Sequence, residues 1–358
     1  MEVFTVDSQD FADRLSFNQY LADNYETLTD RDLYILTGLS EYSQSAFLDV
    51  LRDANYQVVE DLGAVKKIEK TYDEGDKRAQ FYMTFDDETD IVLFYSDMRK
   101  TEEIKSTLEK FLRFNQGIHY LFVSPQILQS IREQIIEGEP AAQITEFVAK
   151  RTERAETEAT YRPEFARTIN YYGDDGLEAL REMERNYGVL PRIMEFDVPG
   201  GLQFRVNREG VFKLVNGDLT ELYDYIQLCI EKAMEVKEAY EVATFQMAPV
   251  SERLSIATSE PVAIELQNRL QYHEVGSFKN SLQNNDYVVL DSYAEEGSLY
   301  FSSKIIDETK NSVFRIKANE DEIRVFPQDE KDLGSFYRFY EFIQDSIDER
   351  AQLNSAVG

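Results

Sequence analysis

Residues 202–218 read LQFRVNREGVFKLVNGD, and residues 219–236 continue with LTELYDYIQLCIEKAMEV. In the first stretch, apolar and polar residues alternate on both sides of the turn Asn-Arg-Glu-Gly, which is the pattern of an antiparallel β-hairpin. In the second stretch, apolar residues recur every three to four positions, which predicts a long helix with one apolar face. The segment therefore predicts a hairpin covered by a helix.

Two other segments repeat this plan. Residues 81–97 (FYMTFDDETDIVLFYSD) and residues 313–329 (VFRIKANEDEIRVFPQD) show the same alternation around an acidic turn, and each precedes an apolar-striped segment. Asp97, Asp218 and Asp332 stand near the predicted helix starts, where a carboxylate can accept hydrogen bonds from free backbone N–H groups. We predict an α+β fold of tandem antiparallel β-meanders, each packed under a long helix, as three diverged repeats.

A second recurring pattern is a strand, a serine and a helix in succession. It begins at Leu33, at Tyr120 and at Arg253. In the last two cases the serines Ser124 and Ser259 are followed closely by proline, which is tolerated in the first turn of a helix. A helix is therefore predicted after the strand in all three cases, with Ser40, Ser124 and Ser259 as the N-caps.

Domain boundaries are predicted where the apolar pattern fades. Residues 149–168 carry mixed charge with almost no apolar stripe, and a second break falls near residues 243–253. The length of 358 residues is typical of two or three domains. The predicted modules are an N-terminal α+β module (1–148), a middle α+β module that begins with a polar helix or linker (149–248), and a C-terminal α+β module (249–358).

The chain is strongly acidic, with 68 Asp and Glu against 38 Lys and Arg and a formal net charge of -30. The acids are spread along the whole chain, which is typical of a hydrated surface adapted to high salt. The carboxylates could instead mimic the phosphates of a nucleic acid, or they could attract basic partners. Because the charge repels polyanions, nucleic acid is not an expected partner.

Compartment and membrane contact are predicted from cysteine content and apolar runs. The single cysteine, Cys229, excludes an internal disulfide, and it lies near the apolar stripe of a predicted helix. The acidic start of the sequence has no apolar run of signal-peptide length, and no stretch reaches the length of a membrane span. We expect a cytoplasmic protein that does not contact membranes.

Motifs for catalysis are sparse. His119 and His273 each lack a second ligand at metal-binding spacing, and no glycine-rich phosphate loop is present. We therefore expect no cofactor. The nearest match to a metal-dependent nuclease is Asp291, Glu308 and Lys310, an acid followed by Glu-x-Lys. This loose motif is one that a chain so rich in acids produces by chance, so we lean against an enzyme.

Aromatic residues crowd the predicted helices on more than one face. Such a helix is buried on both sides, either between layers of its own domain or against another subunit or partner. The candidate interface residues are Phe336, Tyr337, Phe339, Tyr340, Phe342 and Tyr223. We predict a non-catalytic acidic scaffold or regulatory protein that acts through a protein partner or through self-association. The alternatives are a metal-assisted hydrolase or nuclease that uses carboxylates, and an inhibitor that mimics nucleic acid.

The salt adaptation makes a direct prediction about stability. Raising KCl from about 0.1 M to about 1 M shortens the screening length from about 10 Å to about 3 Å, which weakens repulsion among the surplus carboxylates. The melting temperature, measured by circular dichroism, should therefore rise steeply with KCl. A neutral osmolyte at equal osmolality serves as the control. A melting temperature that does not respond to KCl would refute the adaptation.

Overall fold

The structure is a computed structural model, and it describes residues 3–7, 9–72, 77–86, 88–97, 101–151, 159–251, 254–295, 300–328 and 331–353. The described residues up to Ala233 form one compact unit, unit 1, and those from Met234 onward form a second, unit 2. Both units combine helices with antiparallel sheets, so the fold class is α+β, as predicted. Among the described residues, no helix has the length and apolar content needed to cross a membrane.

Unit 1 contains one large antiparallel sheet and the helices beside it. Its strands are β1 (Leu33–Ser40), β2 (Tyr56–Leu62), β3 (Val65–Tyr72), β4 (Lys77–Asp86), β5 (Ile91–Ser96), β6 (Ile118–Tyr120), β7 (Gln143–Arg151), β8 (Arg167–Tyr172), β9 (Leu190–Val198), β10 (Leu202–Asn207) and β11 (Val211–Asn216). Its helices are α1 (Arg14–Leu28), α2 (Gln44–Asp53), α3 (Thr101–Ile104), α4 (Lys110–Phe114), α5 (Pro125–Gly138) and α6 (Gly176–Tyr187). A π-helical turn (Lys105–Glu109) joins α3 to α4, and α7 (Leu219–Val242) begins in unit 1 and ends in unit 2.

The large sheet is organised around β1. The strand order is β2-β3-β4-β5-β1-β11-β10-β9-β7-β8, and β6 also pairs with β1. β5 runs along one edge of β1, while β11 and then β6 share the other edge. All residues of β1 are buried, which is why its sequence LYILTGLS is nearly continuous in apolar character.

Neighbouring residues of β5 show how both faces of the sheet are covered. Phe94 and Tyr95 point to opposite faces, because side chains alternate along a strand. The ring centroid of Tyr95 lies 5.1 Å from that of Phe17 on α1, whereas the Phe94 ring lies 6.5 Å from Phe47 on α2. Phe47 also contacts Phe111 on α4 at 5.8 Å. Burial of each such side chain contributes about 2 kcal/mol to the folded state.

Unit 2 contains a six-stranded antiparallel sheet and a separate two-stranded one. Its strands are β12 (Thr244–Ser251), β13 (Leu254–Glu260), β14 (Val262–Glu265), β15 (Tyr287–Glu295), β16 (Tyr300–Asp307), β17 (Ser312–Ala318), β18 (Glu322–Pro327) and β19 (Gln352–Leu353). Its helices are α8 (Val275–Gln283) and α9 (Leu333–Ser346), with a short 3-10 turn (Tyr272–Glu274) before α8. The larger sheet has the order β15-β16-β17-β18-β14-β19, and β12 pairs with β13.

The three predicted hairpins are confirmed as β4–β5, β10–β11 and β17–β18. Each precedes a helix, namely α3, α7 and α9. Asp332 caps α9 as predicted, because its carboxylate accepts a hydrogen bond from the Ser335 backbone N–H at 3.2 Å. Asp97 instead accepts hydrogen bonds from the Phe4 backbone N–H and the Thr29 hydroxyl, so it ties other segments to the end of β5.

The hairpins do not belong to three separate modules. The first two lie in the one sheet of unit 1, where β1 joins them by pairing with both β5 and β11, and the third lies in unit 2. The predicted boundary after residue 148 falls inside β7, and the boundary after residue 248 falls inside β12. The pairing that merges the first two modules sets Leu33 opposite Leu214, a distant contact that no local pattern encodes.

The helix predicted after Ser259 is wrong. β13 runs to Glu260, and after Pro261 the chain forms β14, which pairs with β18. The buried residues of β14 are Val262 and Ile264, so the period is that of a strand. Ser124, in contrast, caps α5 as predicted and accepts a hydrogen bond from the backbone N–H of the third helical residue at 3.3 Å. The helix predicted after β1 is α2, but Ser43 stands at its N-cap, whereas Ser40 is the last residue of β1.

A buried ion pair connects three elements of unit 2. Asp307 at the end of β16 is fully buried, and its carboxylate accepts hydrogen bonds from Arg338 Nη1 at 2.6 Å and from Ser335 Oγ at 3.1 Å. Arg338 Nη2 also donates to the Asn285 carbonyl at 2.6 Å, and the guanidinium lies 4.5 Å from the centre of the Tyr287 ring. Since both charged groups are hydrogen-bonded, the pair fixes α9 against β15 and β16.

Breaking this pair should destabilise the protein strongly. Asp307→Asn removes the fully buried carboxylate at 2.6 Å from the half-buried Arg338 guanidinium and leaves it only the longer contact with Asp286 at 3.6 Å, which costs about 3 kcal/mol. We expect a clear fall in the urea denaturation midpoint. The matched control is Asp321→Asn, which removes an exposed pair with Arg269 and should cost less than about 0.5 kcal/mol. Equal losses for the two variants would show that the buried pair has no special role.

Candidate functional site

In the two larger sheets, three of the outer strands are long, and they differ in regularity. β2 and β8 bound the large sheet, and β15 bounds the sheet of unit 2. The pairing of β2 is interrupted by a register shift between Val58 and Glu60, and that of β15 by a shift between Leu290 and Tyr293. β8 pairs with β7 along its whole length in one register. Because bulges disturb the hydrogen-bonding edge, β8 is the outer strand best suited to accept another strand.

The side chains of β8 alternate between exposed and half-buried. Thr168, Asn170 and Tyr172 are exposed, and Tyr172 is 72% exposed. On the other face, Tyr171 stacks on Phe147 of β7, with ring centroids 5.0 Å apart and an interplanar angle of 11°. One face thus holds β8 on its neighbour, while the other presents uncharged polar and aromatic groups to solvent.

The loop before β8 adds two exposed aromatic side chains. Tyr161 is 54% exposed and Phe165 is 56% exposed. Hydrogen bonds hold the backbone of this loop: the Tyr161 N–H donates to the Asn186 carbonyl at 2.8 Å, and Arg151 Nε donates to the Pro163 carbonyl at 3.0 Å. Large aromatic side chains exposed on a fixed backbone are typical of protein–protein interfaces.

Opposite charges mark the two ends of β8. Arg162 precedes the strand and Arg167 is its first residue, whereas Asp174 and Asp175 follow its last residue. The Arg167 guanidinium lies 4.6 Å from the centre of the Tyr187 ring, which holds it near the surface. β8 and its flanks, residues 161–175, are called the β8 edge below.

A second candidate site is a cleft of about 410 Å³ in unit 1. Three segments form it: the π turn with α4, the end of β6, and the turn between β10 and β11. Its lining residues are Lys105, Glu109, Lys110, Arg113, Phe114, Tyr120 and Glu209. Three cations thus line a cleft in a chain whose net charge is -30. We call it the Glu109 cleft.

Glu109 is the unusual residue of this cleft. It ends the π turn, in which the Lys110 N–H donates to the Lys105 carbonyl five residues back. Its Oε1 atom is buried and makes no hydrogen bond within the described part of the chain. Burial raises the pKa of Glu109 to about 7, and the negative charge of Glu209 adds to this effect. The positive charges of Lys105 and Arg113 lower the pKa, but by less. Glu109 therefore changes protonation near neutral pH.

The cations of the Glu109 cleft are exposed to solvent. Lys105, Lys110 and Arg113 are all exposed, and Arg113 Nη2 donates to Tyr120 Oη at 3.4 Å. The pKa of the Lys70 ammonium is lowered, mainly by burial and to a smaller extent by the positive charge of Lys110. Lys70 therefore lies near this group of cations. No ion pair within 4.0 Å involves Lys105 or Lys110 in the described ranges, so these ammonium groups can take an anionic ligand.

The aromatic residues predicted for an interface lie in the core of unit 2. The exposed fractions are 2% for Phe336, 2% for Tyr337, 0% for Phe339, 9% for Tyr340 and 5% for Phe342. The Phe339 ring lies 5.1 Å from Phe314, and the Phe342 ring lies 5.6 Å from Tyr287. These residues are therefore not a free surface, and α9 is aromatic on several faces because it is buried on them. Tyr223 is half-buried on α7 in unit 1.

The predicted carboxylate site is not assembled. Asp291 and Glu308 are exposed, whereas Lys310 is buried. The Glu308 N–H donates to the Asp286 carbonyl, so Glu308 and Asp291 are about five residues apart along the β15–β16 ladder. At about 3.3 Å per residue the separation is on the order of 17 Å. The described residues contain no group of three His, Cys, Asp or Glu placed to hold a metal ion.

His119 and Cys229 lie in the core of unit 1. His119 is 1% exposed, and its Nδ1 atom lies 2.7 Å from the Tyr120 carbonyl oxygen. Cys229 is fully buried, and burial raises the pKa of its thiol. A thiol held protonated in this way is a poor nucleophile.

Sequence reasoning missed both candidate sites. Glu109 stands in an ordinary helical pattern, and a π turn leaves no mark in the periodicity. A usable signal was the spacing of Lys105, Lys110 and Arg113, which concentrates positive charge in an otherwise acidic sequence. For the β8 edge, the signal was the aromatic content of residues 161–172, which include Tyr161, Phe165, Tyr171 and Tyr172.

The raised pKa of Glu109 predicts a pH-dependent effect of Glu109→Gln on stability. In the folded protein the carboxyl binds a proton up to about pH 7, whereas in the unfolded chain it ionises near its ordinary pKa of 4.5. Stability is therefore lost as the pH rises through this interval. Above neutral pH the variant should be more stable than the wild type by about 1 kcal/mol, a figure reduced for partial exposure.

The measurement is thermal melting at about pH 5 and at about pH 8. The advantage of Glu109→Gln should be much smaller at the lower pH, because pH 5 is close to the ordinary pKa of 4.5 and the folded carboxyl is neutral there. Glu133→Gln, on the exposed face of α5, is the matched control and should show no such pH dependence. A constant difference between the variant and the wild type at both pH values would contradict the raised pKa.

Comparison with known proteins relates the chain to an archaeal protein. Residues 128–209 match a family model described as "AF_0896_M: family middle domain". The match runs from within α5 to the turn after β10, so it includes the β8 edge. An uncharacterized protein of Archaeoglobus fulgidus (strain ATCC 49558) is 27% identical over 324 residues, and the alignment covers 87% of this chain and 87% of that protein. The similarity thus extends over most of both chains.

Proposed function

We propose that the protein is a non-catalytic regulatory or scaffold protein that acts through protein–protein contacts, and that two copies associate through the β8 edge. One observation carries the proposal: β8 is a regular outer strand flanked by exposed aromatic side chains. A cytoplasmic location and adaptation to high salt belong to the same proposal. They are supported by the single, buried cysteine and by the net charge of -30.

Strand addition accounts for how the two copies would meet. In a symmetric antiparallel pair of β8 strands centred on Asn170, this residue lies opposite its own copy at the twofold axis, and the outward backbone groups of each strand gain partners. Such hydrogen bonds contribute only about 1 kcal/mol each, since water satisfies the same groups in the free protein. Burial of Tyr172 and Phe165, at about 2 kcal/mol each, supplies a similar contribution.

The charges of the β8 edge favour a second copy as the occupant. In the antiparallel pair, the beginning of one strand lies beside the end of the other. Arg162 and Arg167 of one copy then approach Asp174 and Asp175 of the second, and the same contacts form again across the axis. Such complementary charges fix the register of an interface and disfavour wrong partners. A partner strand without this arrangement would leave the charges unmatched.

The net charge opposes association when salt is low. Each copy carries -30, so two copies repel each other over distances of about 10 Å at 0.1 M salt. This repulsion involves the whole surface, whereas the attraction between the strand ends involves a few charges. Salt therefore weakens the repulsion more than the attraction, and association should strengthen as KCl is raised.

The test places a charge near the proposed axis. Asn170→Lys sets two lysines close together across a twofold contact, so it should convert a dimer into a monomer. We expect the wild type to be monomeric at about 0.1 M KCl and dimeric at about 1 M KCl, where the screening length falls to about 3 Å. Sedimentation velocity at both concentrations measures the change.

The matched control is Gln57→Lys, an exposed position on the bulged outer strand β2. It adds the same charge and should leave the dimer intact. Melting curves of both variants confirm that the fold is retained. A wild type that stays monomeric at every KCl concentration, or a dimer that survives Asn170→Lys, would show that β8 is not the contact.

A further inference from the structure

We propose that the Glu109 cleft binds a small organic anion with an apolar part. Lys105, Lys110 and Arg113 would hold its carboxylate or phosphate group, and the exposed ring of Phe114 would contact the apolar part. This site is separate from the β8 edge, and the proposal does not depend on self-association. It rests on the cavity, its three cations and the buried, unpartnered oxygen of Glu109.

The size of the cleft favours a small molecule. Its volume of about 410 Å³ lies in the range of roughly 300–1,000 Å³ that is typical of ligand pockets. The three segments that form it come from distant parts of unit 1, but backbone hydrogen bonds fix them together. The Val123 N–H donates to the Arg208 carbonyl at 2.8 Å, which holds the β10–β11 turn beside the residues that follow β6. The cleft is therefore formed before a ligand arrives.

The charge of the cleft selects an anion. With Glu109 protonated, Lys105, Lys110 and Arg113 outnumber the single carboxylate of Glu209. Lys70 stands nearby and adds to the positive potential. An arginine can bind a carboxylate or phosphate through two parallel hydrogen bonds, and lysines attract the same groups as point charges. A cationic ligand would meet repulsion from all of these groups.

An apolar part of the ligand is indicated by the aromatic lining. Phe114 is 52% exposed although it is a large apolar side chain. The Tyr120 ring lies 5.8 Å from the Arg113 guanidinium and forms part of the same lining. A ligand that covered Phe114 would remove apolar surface from water, which favours binding in proportion to the area covered. Inorganic phosphate lacks this contribution and should bind more weakly.

Glu109 makes the binding dependent on pH. A protonated carboxyl adds no negative charge beside the bound oxyanion, whereas an ionised one repels it. The charged groups that act on Glu109 are Lys105 of the π turn, Arg113 of α4 and Glu209 of the β10–β11 turn. Because the pKa of Glu109 is about 7, affinity for the anion should fall as the pH rises through neutrality.

Isothermal titration calorimetry tests the proposal with four probes: phenyl phosphate, benzoate, inorganic phosphate and benzylamine. Phenyl phosphate or benzoate should bind, and comparison of the two decides which oxyanion is preferred. Inorganic phosphate should bind more weakly than phenyl phosphate, and benzylamine should not bind. The KCl concentration is kept at the lowest value at which circular dichroism shows the native fold, because salt competes with the ligand.

Two variants identify the site. The double variant Lys105→Ala, Lys110→Ala should raise the Kd by about tenfold or more. Glu109→Gln should keep the affinity of the wild type at about pH 6 and should lose the fall in affinity at about pH 8. The β8 variant Asn170→Lys should leave binding unchanged, which separates this site from self-association.

Several results would overturn the proposal. They are failure of both aromatic anions to bind the folded wild type, equal binding of benzylamine, and a Kd that the double lysine variant does not change. With benzoate, which stays ionised from about pH 6 to about pH 8, a fall in affinity that persists in Glu109→Gln would remove Glu109 from the site. Melting curves for every variant show whether a loss of binding reflects a loss of fold.

Discussion

The pairing of β1 on both of its edges is the constraint on which unit 1 depends. It brings the hairpins β4–β5 and β10–β11 into one sheet and sets β6 beside β11. The side chains around β1 are tightly packed, because a Cβ atom at Gly38 would lie 2.8 Å from Val92 Cγ1 and 2.9 Å from Leu112 Cδ2. The Glu109 cleft follows from the same arrangement, since β6 carries Tyr120 and the β10–β11 turn carries Glu209.

Local periodicity predicted much of the secondary structure but not its assembly. The three hairpins, the cap of α9 by Asp332 and the helix after Ser124 all depend on residues close in sequence, and all are present. The merging of two predicted modules depends on Leu33 meeting Leu214, for which the sequence has no local signal. The prediction of a helix after Ser259 was wrong because β14 is only four residues long. The apolar residues of so short a segment fit either a strand or a helical turn until the pairing with β18 is known.

The candidate sites were harder to predict than the fold, for physical reasons. The aromatic pattern of α9 fits either a core or an interface, and only the position of β15 and β17 shows that Phe339 and Phe342 are covered. Tyr172 is also a large aromatic residue, but it lies on an outer strand and is 72% exposed within the described chain, whereas Phe339 and Phe342 are buried. Glu109 acquires its raised pKa from burial and from Glu209, which lies far away in the sequence.

The bulges of β2 and β15 have a consequence for the behaviour of the protein when the salt concentration is high. When ions screen the net charge, chains with several regular outer strands could add to one another without limit and form fibrils. Register shifts interrupt β2, β12 and β15, which makes these strands poor acceptors for a strand of another chain. At high salt, where charge repulsion is weakest, the irregular outer strands would then do more than charge to keep the protein from forming fibrils.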